Sequence, residues 1–387
     1  MKKKCLSLLM VVALLVSILA GCATPEAPAT SATATNEAPA EEITEAAAAE
    51  DPLKIVYLCN GNLGDKGFYD SAHSGMLMLA DTLGAEVKTI EMGQDETSYE
   101  SYYLDVSEQD WDMIVSGTFS VKELAQNIAI EFPEKNYLIF DVAVDRSLVT
   151  TGNIMGLTYY SNQAAFLSGV LAAKMLDTED AKIDGAERTL GFVGSMDNTG
   201  INDFLVGYLE GVKFVDPTIR VLTAYVGSFE DVAKCMEMTT QLYNQGAQIV
   251  YAPASQSILG AATAAMNADK YLIACDQDLY SGMVDADPDL AANILSSSLK
   301  NVGESICNAI TAWDAGEMSL EEDYILGLDS GSVGLAKNEN YKAIVPQDIQ
   351  DMLTETEEKI MFGEIEVSSA YNMTTDEIVA LRESLNP

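Results

Sequence analysis

Residues 53–91 read LKIVYLC (Leu53–Cys59), a Gly- and Asn-containing turn, DSAHSGMLMLADTL (Asp70–Leu83) and AEVKTIE (Ala85–Glu91). The first run is short, apolar and β-branched, which marks a buried strand. The second places Ala72, Met76, Leu79, Ala80 and Leu83 on one helical face. A strand, a helix and a strand in that order imply a parallel pair with the helix crossing over it. The pattern then repeats. Tyr99–Glu108 reads as a helix, Met113–Ser116 as a strand, Val121–Glu131 as a helix stopped by Pro133, and Tyr137–Val142 as a strand. A second series starts near Ser161, with helices over Asn162–Leu176, Ile201–Val215, Val232–Gln245 and Ile258–Asn267. They alternate with strands over Thr189–Val193, Arg220–Val226, Ile249–Ala252 and Tyr271–Cys275. After these come Asn293–Leu299, a helix over Val302–Ala315, Asp323–Leu328, and two helices at Gln347–Phe362 and Thr375–Leu385. The fold class is therefore α/β, with two doubly wound parallel-sheet lobes, a hinge and a central cleft at the carboxyl ends of the strands. About 335 residues suit two cores rather than one. We expect lobe 1 at 53–158 plus about 283–318, lobe 2 at 159–282 plus about 319–345, and C-terminal helices at 346–387 packing on the lobes.

Ahead of this body, Lys2, Lys3 and Lys4 precede an apolar stretch, Leu6–Ala20, and no further charge appears until Glu26. That is a secretory signal, too short for a spanning helix of ~20 residues. Leu19-Ala20-Gly21-Cys22 resembles the lipobox of bacterial lipoproteins. The resemblance implies a signal peptide over 1–21 and acylation at Cys22. Two acyl chains, at roughly 0.8 kcal/mol per buried methylene, make such an anchor stable. Residues 22–52, rich in Ala, Thr, Pro and Glu, then read as a disordered tether.

The net charge is -39, and without the three leader lysines 18 basic residues face 60 acidic ones, a balance of -42. Such a chain is repelled by nucleic acid and by anionic lipid headgroups, so the lipid must hold it at the membrane. One histidine, His73, gives little support to a Ser-His-Asp triad or a His-based metal site. The Gly61–Gly67 loop lacks the spacing of a phosphate loop, and Asp285–Asp289 lacks the Gly and distal Glu of a calcium loop. No enzyme, cofactor or metal is expected. Cys59, Cys235, Cys275 and Cys307 read as buried free thiols, with a Cys59–Cys275 disulfide as the alternative.

Four stretches together resemble the basic membrane protein family of lipoproteins, which includes the bacterial purine nucleoside receptor lipoproteins. They are DKGFYDSA (Asp65–Ala72), FLSGVLAA (Phe166–Ala173), GFVG (Gly191–Gly194) with Phe204, Gly207, Tyr208 and Gly211 downstream, and ACDQD (Ala274–Asp278) followed by Ser298–Val302. The resemblance spans Leu53 to Val367. It implies a type I periplasmic-binding-protein-like fold and the substrate-binding role of an ABC transporter, with permease and ATPase subunits as partners. The expected state is a monomer, lipid-anchored on the extracytoplasmic face of the cell membrane. It also implies a nucleoside-like solute between the lobes, its base stacked on an aromatic and its sugar hydroxyls held by carboxylates.

By position, Phe68 is the stacking aromatic, Phe204 a second aromatic from the other lobe, and Asp141, Asp276 and Lys300 polar contacts. Asp65 and Tyr69 of the first stretch join them. Read without the family, Phe68 is equally a core residue, Asp141 and Asp276 are strand-end groups facing a cleft or else solvated caps or turns, and Lys300 is equally a surface lysine. Tyr69 stands where the family usually has Asn, Ser195 where it has a second Gly, and Ala254–Gly260 where it has a glycine-rich loop. These departures leave a sugar or nucleobase as the alternative solute, and a solute sensor as the alternative role.

Overall fold

The computed structural model describes residues 51–386. The leader, Cys22 and the tether as far as Glu50 lie outside the described residues, as does Pro387. Twelve strands run through the described residues: β1 Lys54–Cys59, β2 Glu86–Glu91, β3 Met113–Gly117, β4 Asn136–Phe140, β5 Ile154–Tyr159, β6 Thr189–Gly194, β7 Arg220–Tyr225, β8 Ile249–Tyr251, β9 Tyr271–Asp276, β10 Ile294–Lys300, β11 Asp323–Leu326 and β12 Val333–Leu335. They form two six-stranded sheets, ordered β11-β5-β4-β3-β1-β2 and β12-β10-β9-β8-β6-β7. All pairings are parallel except β12 against β10.

Alternate side chains explain why both faces of the first sheet need helices. Ile55, Tyr57, Met113, Val115 and Leu138 face Ala72, Met76 and Leu79 of the Phe68–Leu83 helix. Their neighbours Val56, Leu58, Ile114, Tyr137 and Ile139 pack with Tyr103, Val106, Ala125 and Ile128 on the opposite side. A sheet buried on both faces reads as a continuous apolar run, which is how LKIVYLC presents itself.

The late elements depart from the expected division. The expected lobe 1 includes residues 283–318, yet β10 pairs with β9 in the second sheet. Only the helix after it, Val302–Asp314, joins lobe 1, packing on Phe68–Leu83. The expected lobe 2 includes residues 319–345, yet β11 pairs with β5 in the first sheet, and of the two strands there β12 alone joins the second. The physical reason is that each strand's edge is dictated by its hydrogen-bonding partner, while the helix after it goes wherever its apolar face is covered. The C-terminal helices Gln347–Met361 and Thr375–Ser384 lie on lobe 2, against the helices Ser161–Met175 and Thr199–Val215. All four cysteines of the body are free and buried.

The chain thus passes between the sheets three times, at Tyr160, at Asn301 and over Gly327–Ser332. The passages are laced together: Tyr160 N–H donates to the Leu326 carbonyl (2.9 Å) and Asn301 N–H to the Ser332 carbonyl (2.8 Å). The Leu328 N–H reaches the Gln163 side chain (3.0 Å). Three short adjacent passages make a hinge. At the far rim, the Gln94 side chain donates to Glu230, joining the loop after β2 to the loop after β7.

Candidate functional site

Lys300 is the last residue of β10 and is only 5% exposed. Its ammonium lies 2.6 Å from the Asp141 carboxylate, which follows β4 in the other lobe. Three aromatic rings surround the same Nζ: Phe68 at 5.2 Å, Tyr159 at 5.4 Å and Phe204 at 5.6 Å from their centroids. Phe68 opens the first helix of lobe 1, Tyr159 ends β5, and Phe204 lies in the Thr199–Val215 helix of lobe 2. A desolvated ammonium is tolerable here because a carboxylate pairs with it and ring faces attract it.

Asp141 and Asp276 each follow or end a central strand with the backbone left-handed, at φ 64° and 68°. A non-glycine residue rarely takes this conformation. At both places it turns the chain sharply where the strand meets the cleft. Burial raises the pKa of Asp276, Lys300 opposes this, and the Asp141 and Asp65 charges add to the rise. Burial alone would lower Lys300, but Asp141 and Asp276 reverse it, so the ammonium is held above its usual range. One cation therefore balances two carboxylates drawn from equivalent places in the two lobes.

Asp65 and Tyr69 are close by but spend their polar atoms on the protein. The buried Asp65 carboxylate accepts the N–H groups of Gly67 (3.1 Å), Tyr69 (3.0 Å) and Asp70 (3.0 Å). It fastens the start of the helix that carries Phe68. Burial raises its pKa against the pull of those donors. The Tyr69 hydroxyl donates to the Asn60 carbonyl (3.1 Å), and its ring packs edge-on to Phe68, with centroids 5.7 Å apart. So four of the seven expected residues, Phe68, Asp141, Phe204 and Asp276, gather around the ammonium of a fifth, Lys300, and the other two fasten the start of the Phe68–Leu83 helix. Sequence reasoning missed Tyr159, because the strand it ends, β5, is buried on both faces and shows no alternation. Three buried polar atoms at strand ends, Asn60 Oδ1 and the Tyr159 hydroxyl in lobe 1 and Ser195 Oγ in lobe 2, have no hydrogen-bond partner among the described residues. Such atoms take a solute or water. Among the described residues, no group of three His, Cys, Asp or Glu side chains could hold a metal ion.

Residues 53–370 match the family of PnrA-like ABC transporter substrate-binding proteins. The chain belongs to this family. Its relatives include basic membrane protein A2 of Borrelia garinii subsp. bavariensis, 28% identical over 320 residues, covering 81% of this chain and 87% of that one. Another is a CD4+ T-cell-stimulating antigen of Listeria monocytogenes, 24% identical over 325 residues, covering 79% and 85%. Among solved structures, an ABC transporter solute-binding protein from Aeropyrum pernix shares the fold at a TM-score of 0.74 and 23% identity, covering 86% of this chain and 97% of that one. An arabinose-binding protein from Geobacillus stearothermophilus shares it at 0.57 and 11% identity, covering 76% and 100%. The family is one of solute-binding proteins, not enzymes.

Within this substrate-binding family the glycine motifs also find their reason. A Cβ at Gly207 would overlap the Asn162 carbonyl, and one at Gly211 the Phe166 carbonyl. These residues let the helices Ser161–Met175 and Thr199–Val215 touch backbone to backbone. The small residues of the second and third family-like stretches therefore serve helix packing, which holds the helix that carries Phe204 in place.

Proposed function

We propose that this protein is a monomeric, lipid-anchored binding component of an ABC importer on the extracytoplasmic face of the cell membrane. It captures a nucleoside-like solute between its lobes. The observation that supports this reading is the composition of the Lys300 cluster: aromatic rings from both lobes beside carboxylates from both lobes. Ring faces suit a flat base, which stacks with little loss of side-chain entropy. Carboxylates accept hydrogen bonds from the paired hydroxyls of a sugar, and a lone cation donates to an acceptor on the base. Closing about the hinge brings the two half-sites together, and the closed form must differ from the open one in its affinity for the permease.

Thermal-shift screening with adenosine, inosine, uridine, hypoxanthine, ribose and arabinose tests the solute class. Stabilisation by nucleosides is expected. A shift with the free sugars and none with nucleosides would replace the nucleoside reading with the sugar one. Calorimetry on Phe68→Ala should show nucleoside binding weakened by about 1–3 kcal/mol, the size of base–aromatic stacking; an unchanged affinity removes Phe68 from the site. Cys22→Ser should move the protein from the membrane fraction to the soluble one.

A further inference from the structure

The segment after the last long helix is fastened to lobe 2 at one point. The Asn162 side-chain amide donates to the carbonyls of Val367 (3.0 Å) and Ser368 (3.1 Å). The Ser368 N–H donates to Glu210 (2.9 Å). The Ser369 hydroxyl (2.7 Å) and the Ala370 N–H (2.9 Å) both donate to one oxygen of Asp203, and the other oxygen accepts the Asn162 N–H (3.1 Å). Asp203 is 1% exposed and is the neighbour of Phe204. A buried carboxylate is costly unless fully bonded, so this anchorage is specific, and it ends at a solute-facing element.

The next residue is Tyr371. Ala370 is 2% exposed, whereas the Tyr371 ring is 61% exposed. Its hydroxyl makes no hydrogen bond to a described residue. It stands over Gly200, 3.5 Å from where a Cβ would be, at the start of the helix that carries Phe204. Burial raises its pKa; the Asp141 and Asp203 charges add to the rise and Lys300 opposes it, so the phenol feels the charges of the site. The carboxylates there can only accept. A solute acceptor, such as a ring nitrogen or carbonyl, has Lys300 as a donor, with the unpartnered hydroxyls of Tyr159, Ser195 and Tyr371 as further candidates; of these three, Tyr371 alone is exposed. The family match ends at Ala370, one residue short of it.

We infer that Tyr371 is a specificity-determining residue of the cleft, held in place by the Asp203-anchored strap, which donates its hydroxyl to an acceptor atom on the heterocycle of the bound solute. The inference rests on the nucleoside reading of the same cleft. A plain polyol makes no such demand, so Tyr371 would separate heterocycle-bearing solutes from free sugars.

The test is calorimetry with inosine and with ribose on the purified wild-type chain, Tyr371→Phe and Phe68→Ala. Tyr371→Phe keeps the ring and the strap and removes only the donor. The expected result is an inosine affinity lowered about three- to tenfold, the size of one hydrogen bond, with ribose binding and the melting temperature of the free protein unchanged. If Phe68→Ala weakens inosine binding but Tyr371→Phe does not, the inference is overturned and the nucleoside reading stands. If the wild-type chain does not bind inosine or any other nucleoside of the panel, both fall together.

Discussion

Strand β5 ends at Tyr159 and passes through Tyr160 (φ -76°, ψ 64°) into the Ser161–Met175 helix; β10 ends at Lys300 and passes through Asn301 (φ -78°, ψ 63°) into the Val302–Asp314 helix. The two passages have the same backbone and do the same work. Each leaves one sheet and lays its helix against the first helix of the other lobe. In lobe 2 the contact is closed at Gly207; in lobe 1 it is closed at Gly75 and Gly303, where a Cβ would overlap backbone of the partner helix. Asp141 and Asp276 repeat the pattern at the ends of β4 and β9. What differs is the residue that ends each passage strand: a neutral ring in one, a cation in the other. A repeated scaffold thus supplies matched positions, and a single unmatched side chain turns two carboxylates and three rings into a polar, polarised site.

That comparison can be broken most forcefully at its unmatched residue. Lys300→Met leaves Asp141 and Asp276 without their cation. Loss of one partner of a buried pair costs about 3 kcal/mol, so urea unfolding should show a drop of that order, and solute binding should vanish. A loss below about 1 kcal/mol, the range of exposed pairs, would mean that solvent already screens the pair. Next in size are the matched glycines. Gly207→Ala and Gly303→Ala each force two backbones apart, at about 2 kcal/mol from overpacking. Equal losses in urea unfolding support the repeat, and a silent Gly303→Ala would show that lobe 1 is closed more loosely than lobe 2.

The smallest effect is in the pH dependence. Asp276 has its pKa raised in the folded state, so between its unfolded and folded values the folded protein binds more protons than the unfolded one. Stability from this group is therefore present at low pH and is lost as pH rises through that window. Asp216 has the opposite sign. The Thr218 hydroxyl and N–H and the Arg188 guanidinium lower it to about 2, so its contribution is present above the ordinary carboxylate value and is lost as pH falls. Asp276→Asn should remove the first slope and leave the second. An unchanged profile across the upper window would mean that Asp276 is not desolvated in solution.

The strands and helices with strong periodicity were legible in the sequence, as were the residues that follow apolar strands, Asp141 and Asp276. Three things were not. Strand β5, IMGLTY, has no alternation because it is buried on both faces, and its glycine weakens the pattern. Strand β12 has only three residues, VGL. The exchange at Lys300, where a strand belongs to one lobe and its helix to the other, leaves no compositional mark, because both destinations are equally apolar. In the site, nothing in the sequence shows that three N–H groups donate to the Asp65 carboxylate, or that the Tyr69 phenol donates to the Asn60 carbonyl. Tyr371 lies after the recognisable motifs, in a segment fastened by the distant residues Asn162, Asp203 and Glu210.

The crossed helices also bear on the order in which the molecule can be completed. When the chain has emerged only as far as Tyr159, lobe 1 has five of its six strands but lacks β11 and the Val302–Asp314 helix that covers its first helix. Those pieces arrive more than a hundred residues later, after the whole second sheet except β12 has been made. The first half therefore waits for the second with an apolar helix face uncovered, and a polypeptide cut after residue 160 would be an unfinished lobe rather than an independent one.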